Sequence, residues 1–221
     1  KQVALPEGET IGKNEAWLGD FIFADINGDG VITNDDQTFI GNPEPKFTWG
    51  FGNTFSYKGF DLTVFFTGSY GNDVVNYNRR WTEITGSTSN LSKDVLNYAR
   101  VEMINPDGPD DFRNYHVVNA GTTMPRLYTE SYKNLNNRMS DNYVEHGSYI
   151  RLQNVTLAYT FPKNSIKKIH LENLKIYCNI QNLFTWSEYK GYDPEVGSLY
   201  GNTLLNGVDY GRYPTPRIYT V

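Results

Sequence analysis

Cysteine occurs once in these 221 residues, at Cys178. That excludes an intramolecular disulfide framework and any CxxC metal knuckle. Its strand-like neighbours make it a buried or lipid-facing thiol rather than a nucleophile. No run approaches the ~20 consecutive apolar residues of a membrane helix. Histidine is scarce: His116, His146 and His170 lie far apart, lack metal-ligand spacing and read as surface or loop residues. The sequence has no G-x-S-x-G elbow, no H-E-x-x-H, no P-loop and no G-x-G-x-x-G opening a helix, so nothing marks an enzyme. Positive charge is also in short supply. The 20 Lys and Arg face 25 Asp and Glu for a net charge of −5, which argues against nucleic acid as a partner. No signal peptide is visible. The pattern starts midway at Lys1-Gln2-Val3 and breaks off inside a strand at Val221, as expected of a piece of a longer chain.

Aromatic residues are abundant, with 17 Tyr, 12 Phe and 4 Trp, or 15% of the chain, beside 20 Gly. Tyr and Trp suit the level where lipid meets water, because each has an apolar body and a polar tip. Mean hydropathy is −0.56, but a sheet that alternates lipid-facing and water-facing residues averages out as polar.

Four segments carry the period-2 pattern of a two-faced strand. From Lys46 to Tyr57, Phe47, Trp49, Phe51, Asn53, Phe55 and Tyr57 alternate with small or polar residues. Lys58-Gly59 reads as a tight turn. From Phe60 to Tyr70, Leu62, Val64, Phe66 and Tyr70 share a face, with Phe65 the exception. Val155, Leu157, Tyr159 and Phe161 continue the pattern, whereas Ile150 and Leu152 upstream are out of phase and predict a bulge. Leu174, Ile176, Cys178, Ile180 and Phe184 form the next strand, and another begins at Arg217. Trp49, Phe51, Phe55, Leu62, Val64, Phe66, Leu157, Tyr159, Ile176 and Ile180 are expected on the outward face. Thr48, Thr54, Thr63, Thr67, Asn179 and Gln181 are expected on the inner one.

The connections are unequal. Lys58-Gly59 and Pro162–Asn173 are short, while Tyr70–Ser148 and Trp186–Pro216 are long, an asymmetry that outer-membrane barrels show. Within the first long loop, Leu91, Val95, Leu96 and Ala99 fit one helical face, with Asn90 or Ser92 as a cap.

Asp25-Ile26-Asn27-Gly28-Asp29-Gly30-Val31-Ile32-Thr33-Asn34-Asp35-Asp36 matches the EF-hand calcium loop, with Asp in place of Glu at its last position. Asp25, Asn27, Asp29, the Val31 carbonyl and Asp36 are the expected Ca²⁺ ligands, and Gly30 permits the sharp turn. Calcium here would be structural. The bland reading is an Asx-rich turn without metal. Asp107, Asp110 and Asp111, interrupted by Pro and Gly, read as a solvated turn. Tyr189, Tyr192, Tyr200, Tyr210 and Tyr213 crowd the last long loop and suit girdle or loop packing as well as ligand stacking.

Several strings resemble the SusC/RagA family of TonB-dependent outer-membrane transporters of Bacteroidetes-type bacteria. They are Asn42-Pro43-Glu44-Pro45-Lys46-Phe47-Thr48-Trp49-Gly50-Phe51, Tyr149-Ile150-Arg151-Leu152-Gln153-Asn154-Val155-Thr156-Leu157, Gln181-Asn182-Leu183-Phe184-Thr185-Trp186, Gly191-Tyr192-Asp193-Pro194-Glu195 and Tyr213-Pro214-Thr215-Pro216-Arg217, in the family's order. The resemblance implies an all-β fold: the C-terminal strands of a large antiparallel transmembrane β-barrel with long extracellular loops, in the bacterial outer membrane. Residues 1–45 would be an extracellular region carrying the calcium loop, and residues 46–221 the last strands with two long loops. The implied activity is import of oligosaccharides or peptides. The implied partners are a SusD-like surface lipoprotein, outer-membrane lipid and the TonB complex, the last through a segment this sequence lacks. The plug and the family's terminal aromatic are missing too. A reading from another class is a secreted, calcium-stabilised β-sandwich that binds glycans or surfaces, in which the aromatic faces would pack together and become buried.

Overall fold

The computed structural model describes residues 4–12, 15–83, 90–127 and 136–221, and the opening Lys1–Val3 lies outside them. In chain order the strands are β1 (Leu5–Pro6), β2 (Val31–Ile32), β3 (Phe47–Tyr57), β4 (Phe60–Tyr70), β5 (Asp73–Asn76) and β6 (Val101–Met103). They continue with β7 (Tyr115–Val117), β8 (Val144–His146), β9 (Tyr149–Thr160), β10 (Lys175–Ser187), β11 (Val208–Asp209) and β12 (Ile218–Thr220). The chain divides into two compact units, one of residues 1–40 and 77–143, the other of residues 41–76 and 144–221.

The second unit is built on a five-stranded antiparallel sheet in the order β12-β10-β9-β4-β3. The β3–β4 turn needs two left-handed residues, and Lys58 and Gly59 supply them with φ of 47° and 89°. A Cβ on Gly59 would stand 2.8 Å from the Thr160 carbonyl, so glycine is also required for space. The Pro162–Asn173 connection lies at the same end, where Thr160 N–H donates to Gly59 O at 2.8 Å and Phe161 N–H to Leu174 O at 3.0 Å. The two long connections leave from the opposite end.

The register places every expected outward residue on one face. Across β3, β4, β9 and β10 run the rows Phe51, Phe66, Leu152, Phe184 and Phe55, Leu62, Leu157, Cys178. Ile150 and Leu152 rejoin this face because β9 is bulged. Phe65 pairs with Asn154 and Phe66 with Leu152, which leaves Gln153 over. At the same level β10 passes from Gln181 to Phe184, with Asn182 at φ 53°. The bulge converts an even-numbered apolar pattern into an odd-numbered one. Phe65 lies on the opposite face for a local reason: its ring covers Gly50 and Gly52, where added Cβ atoms would come within 3.3 and 3.1 Å of it. Phe51 and Phe55 are 54% and 58% exposed, so the aromatic row is not the core of a two-sheet sandwich.

A smaller sheet, β11-β5-β8, brings the last long loop back beside the segment that follows β4. Val74, Ala158, Ile166 and Tyr189 are buried in this unit.

In the first unit β1 runs parallel to β2, and β6 pairs with β7. A buried ion pair ties distant segments together: Arg126 holds Asp20 at 2.8 Å and also donates to the Glu15 carbonyl, while Asn136 donates to Asp20 at 2.9 Å. The helix expected over Leu91–Ala99 is only one 3-10 turn, Lys93–Asn97, with Ser92 as its cap. Tyr98 is already extended and Ala99 N–H donates to Met124 O, so a backbone bridge takes over before an α-turn can close. Of the four apolar positions, Val95 and Ala99 are buried and Leu96 is solvent-exposed.

Candidate functional site

The face opposite the aromatic rows is a ladder of short polar side chains. Thr54 and Thr63 hydroxyls meet at 2.9 Å, and Asn179 donates to Asn154 at 2.5 Å and to Thr156 at 2.6 Å. At its turn end, Ser56 donates to Asp61 at 2.6 Å, and Lys175 approaches the same carboxylate at 3.4 Å. Cross-strand polar pairs of this kind stabilise a sheet whose polar face is solvated. One sheet therefore presents an apolar side and a hydrogen-bonding side along four strands of 11 to 13 residues.

A buried charge cluster sits on the polar face at its loop end. Arg151 of β9 is 3% exposed. Its guanidinium donates to Thr185 Oγ1 at 3.0 Å, to Glu195 Oε2 at 2.5 Å and to Asp193 Oδ1 at 2.5 Å. Asp193, 8% exposed, also accepts the N–H groups of Glu195 and Thr215, each at 3.0 Å. Burial alone would raise the Asp193 pKa. The N–H groups of Thr215 and Glu195, the Thr215 side chain and the Arg151 charge together outweigh it and hold the carboxyl below the usual carboxylate range. Arg151, Asn182, Thr185, Tyr192, Asp193, Thr215 and Arg217 line a cavity of about 230 Å³ together with Phe184, Pro194 and Pro214.

The same loop carries a second pin. Tyr189 donates its hydroxyl to Asp209 at 2.6 Å, and Asp209, 1% exposed, also accepts the N–H groups of Gly211 and Arg212. Burial, followed by the hydrogen bond to this carboxylate, pushes the Tyr189 phenol far above its ordinary value, so it stays protonated.

The acidic loop folds as a self-bonded turn. Asp25 accepts Gly28 N–H at 2.6 Å and Gly30 N–H at 2.9 Å, with both glycines at positive φ. Asp29 accepts Val31 N–H at 2.8 Å and the Asn27 amide at 3.0 Å. Asp36 reaches back to Ile26 N–H at 2.9 Å and caps Thr33 N–H at 2.7 Å. The Thr33 bond is the main reason its carboxyl lies below the usual range. The structure thus wraps Asp25, Asn27, Asp29 and Asp36 into one loop ending at Val31 and the turn that follows β2. Among the described residues, no three His, Cys, Asp or Glu side chains converge as metal ligands.

The histidines remain apart: His116 is in β7, His146 lies 3.5 Å from Asp73, and His170 ends the short helical turn after α1 (Lys163–Ile166). Asp111 caps the turn at Phe112 and pairs with exposed Arg113 at 2.6 Å. Tyr192, Tyr200 and Tyr213 are exposed. Sequence reasoning missed the Arg151 cluster and the Tyr189–Asp209 pin. The available signal was Arg151 itself, a charge on an otherwise uncharged strand pattern.

No family model matches the sequence. TonB-dependent receptor P3 of Formosa agariphila is 33% identical over 221 residues, covering 98% of this chain and 20% of that protein. TonB-dependent receptor SusC of Bacteroides thetaiotaomicron is 28% identical over 195 residues, 87% of this chain and 16% of that protein. The chain thus spans about a fifth of the length of the curated relatives it matches. Among solved structures, the RagAB peptide importer in the open-open state matches 96% of this chain and 21% of that chain with a TM-score of 0.64 at 23% identity. The structure of the RagAB peptide transporter matches 79% and 16%, with a TM-score of 0.55 at 25% identity.

Proposed function

We propose, from the chain's membership of the SusC/RagA family of TonB-dependent receptors, that it is the C-terminal part of an outer-membrane importer. Its five-stranded sheet would be a section of barrel wall. The observation that carries this reading is the two-faced sheet: an exposed aromatic and aliphatic side backs onto a polar ladder over strands of 11 to 13 residues. Soluble strands run ~5–6 residues and rarely leave such a face uncovered, whereas a tilted membrane strand needs ~9–11. The apolar side faces lipid and the polar side faces the lumen. The turn and short connection are periplasmic, and the long loops are extracellular. The segment performs no bond-breaking chemistry. The complete receptor imports oligosaccharides or peptides with a SusD-like lipoprotein outside and the TonB complex inside.

Spin labels placed one at a time along 53–57 and 62–66 of the full-length receptor in lipid bilayers test this. Accessibility to oxygen should peak at Phe55, Leu62 and Val64, and accessibility to a nickel chelate at Thr54 and Thr63. Loss of that alternation would sink the barrel-wall reading.

The 25–36 loop, we further propose, takes one Ca²⁺ through Asp25, Asn27, Asp29, the Val31 carbonyl and Asp36. Carboxylate and amide oxygens carry two acceptor sites each, and the N–H bonds described leave sites free on each of these side chains. A hard, oxygen-seeking cation suits that donor set. The loop is closed by its own hydrogen bonds and its carboxylates do not converge in this structure, so the ion would bind by drawing Asp25, Asp29 and Asp36 together in exchange for some of those bonds.

A further inference from the structure

The long loop 188–217 is anchored at three separate levels. Ser187 donates to the Ser148 carbonyl at the loop's base, Val208 pairs with Val75 in the small sheet, and Asp193 and Glu195 grip Arg151 on the polar face of the large one. The Tyr189–Asp209 pin joins the two limbs of the loop. Asp193 is the hub of the third anchor: one oxygen takes Arg151 and Glu195 N–H, and the other takes Thr215 N–H from the returning limb. One carboxylate therefore binds both limbs to the strand. The two anchoring carboxylates differ in burial. The side chain of Asp193 is almost wholly buried, whereas that of Glu195 is 58% exposed.

Resting on the reading that the polar face lines the passage, we propose that loop 188–217 is a latched inward fold that narrows that passage, and that Arg151 is the residue that positions it. A planar guanidinium can offer parallel donors to two carboxylates at once, and the Thr185 hydroxyl fixes its remaining Nε–H. The solvated Glu195 contact is the exchangeable half of the latch and opens first. The buried Asp193 contact carries both limbs when it releases, so the loop moves as one body rather than fraying from a tip.

The test uses the full-length receptor in outer-membrane vesicles, with Cys178→Ser removing the native thiol and, as the reporter, Thr67→Cys, the cross-strand neighbour of Arg151 on the polar face. The probe is a membrane-impermeant maleimide. In the Asp193→Asn, Glu195→Gln background the reporter should react at least tenfold faster than with the latch intact. Arg151→Met should match that rate, and Arg151→Lys, which keeps the charge without the fork, should fall between. The isosteric carboxylate changes keep the experiment decisive if Arg151→Met fails to assemble. A Thr54→Cys control sits on the polar face away from the loop. If Thr54→Cys reacts but the Thr67→Cys rate is the same in every background, the latch is overturned. If Thr54→Cys is silent throughout, the polar face does not line a water-filled passage, and the reading beneath the latch fails with it.

Discussion

The Trp49 indole lies flat across Gly68, its neighbour on β4: a Cβ on Gly68 would stand 2.5 Å from Trp49 Nε1. Phe65 covers Gly50 and Gly52 in the same manner on the opposite face. Glycine is a poor strand residue because it has nothing to pack, yet here each glycine is the floor on which an aromatic ring rests. Gly68→Ala should therefore destabilise by about 1–3 kcal/mol through overpacking. Heat-induced mobility shifts of the purified receptor on gels check this. An unchanged melting temperature would mean that the indole is free to move aside.

Val64 and Thr63 are adjacent in β4 but face opposite ways. Val64→Lys should cost about 2–4 kcal/mol if it lies at the bilayer midplane, whereas a charge on the lumen face is tolerated. Thr63→Lys should accordingly fold almost normally. Denaturant titration of refolding into lipid vesicles measures both, and equal losses would contradict the assignment of faces.

For the acidic loop, titration calorimetry should detect one calcium ion per receptor, weakened by Asp29→Ala while the barrel's melting behaviour stays intact. Extracellular calcium modules bind with Kd of about 10⁻⁴–10⁻³ M, which sets the concentration range. The Asp36 carboxyl is held low chiefly by Thr33 N–H. A depressed folded pKa contributes order that is present above the unfolded value of about 3.9 and is lost as pH falls through the folded value. The loop's amide protection should thus persist down to that range and collapse only below it. Collapse near neutral pH would show that Asp36 does not cap the loop.

Tyr189→Phe removes the hydroxyl that Asp209 accepts at 2.6 Å and leaves a buried carboxylate oxygen unpaired. The expected loss is about 1–3 kcal/mol, expressed as faster hydrogen exchange across 189–212. An unaffected exchange pattern would mean that the two N–H donors to Asp209 suffice.

The strands, the tight turn, the unequal connections and the two faces were legible in the sequence, because a period of two and a Lys-Gly pair are local properties of the backbone. Even the phase slip at Ile150 and Leu152 announced the bulge that Gln153 and Asn182 provide. The acidic loop was legible as a motif, since its carboxylates bond to N–H groups inside the same short segment, the longest reach being from Asp36 back to Ile26. Only the tertiary structure decided which buried charges meet. Arg151 and Asp193 are 42 residues apart, and Asp20 and Arg126 are 106 apart; no periodicity encodes such pairings. They form because burying one charge demands the other, and the chain's path alone determines which partner is within reach. The same limit explains the single 3-10 turn at Lys93–Asn97: an apolar spacing suggested a helix, but the bridge from Ala99 to Met124 claimed the backbone first.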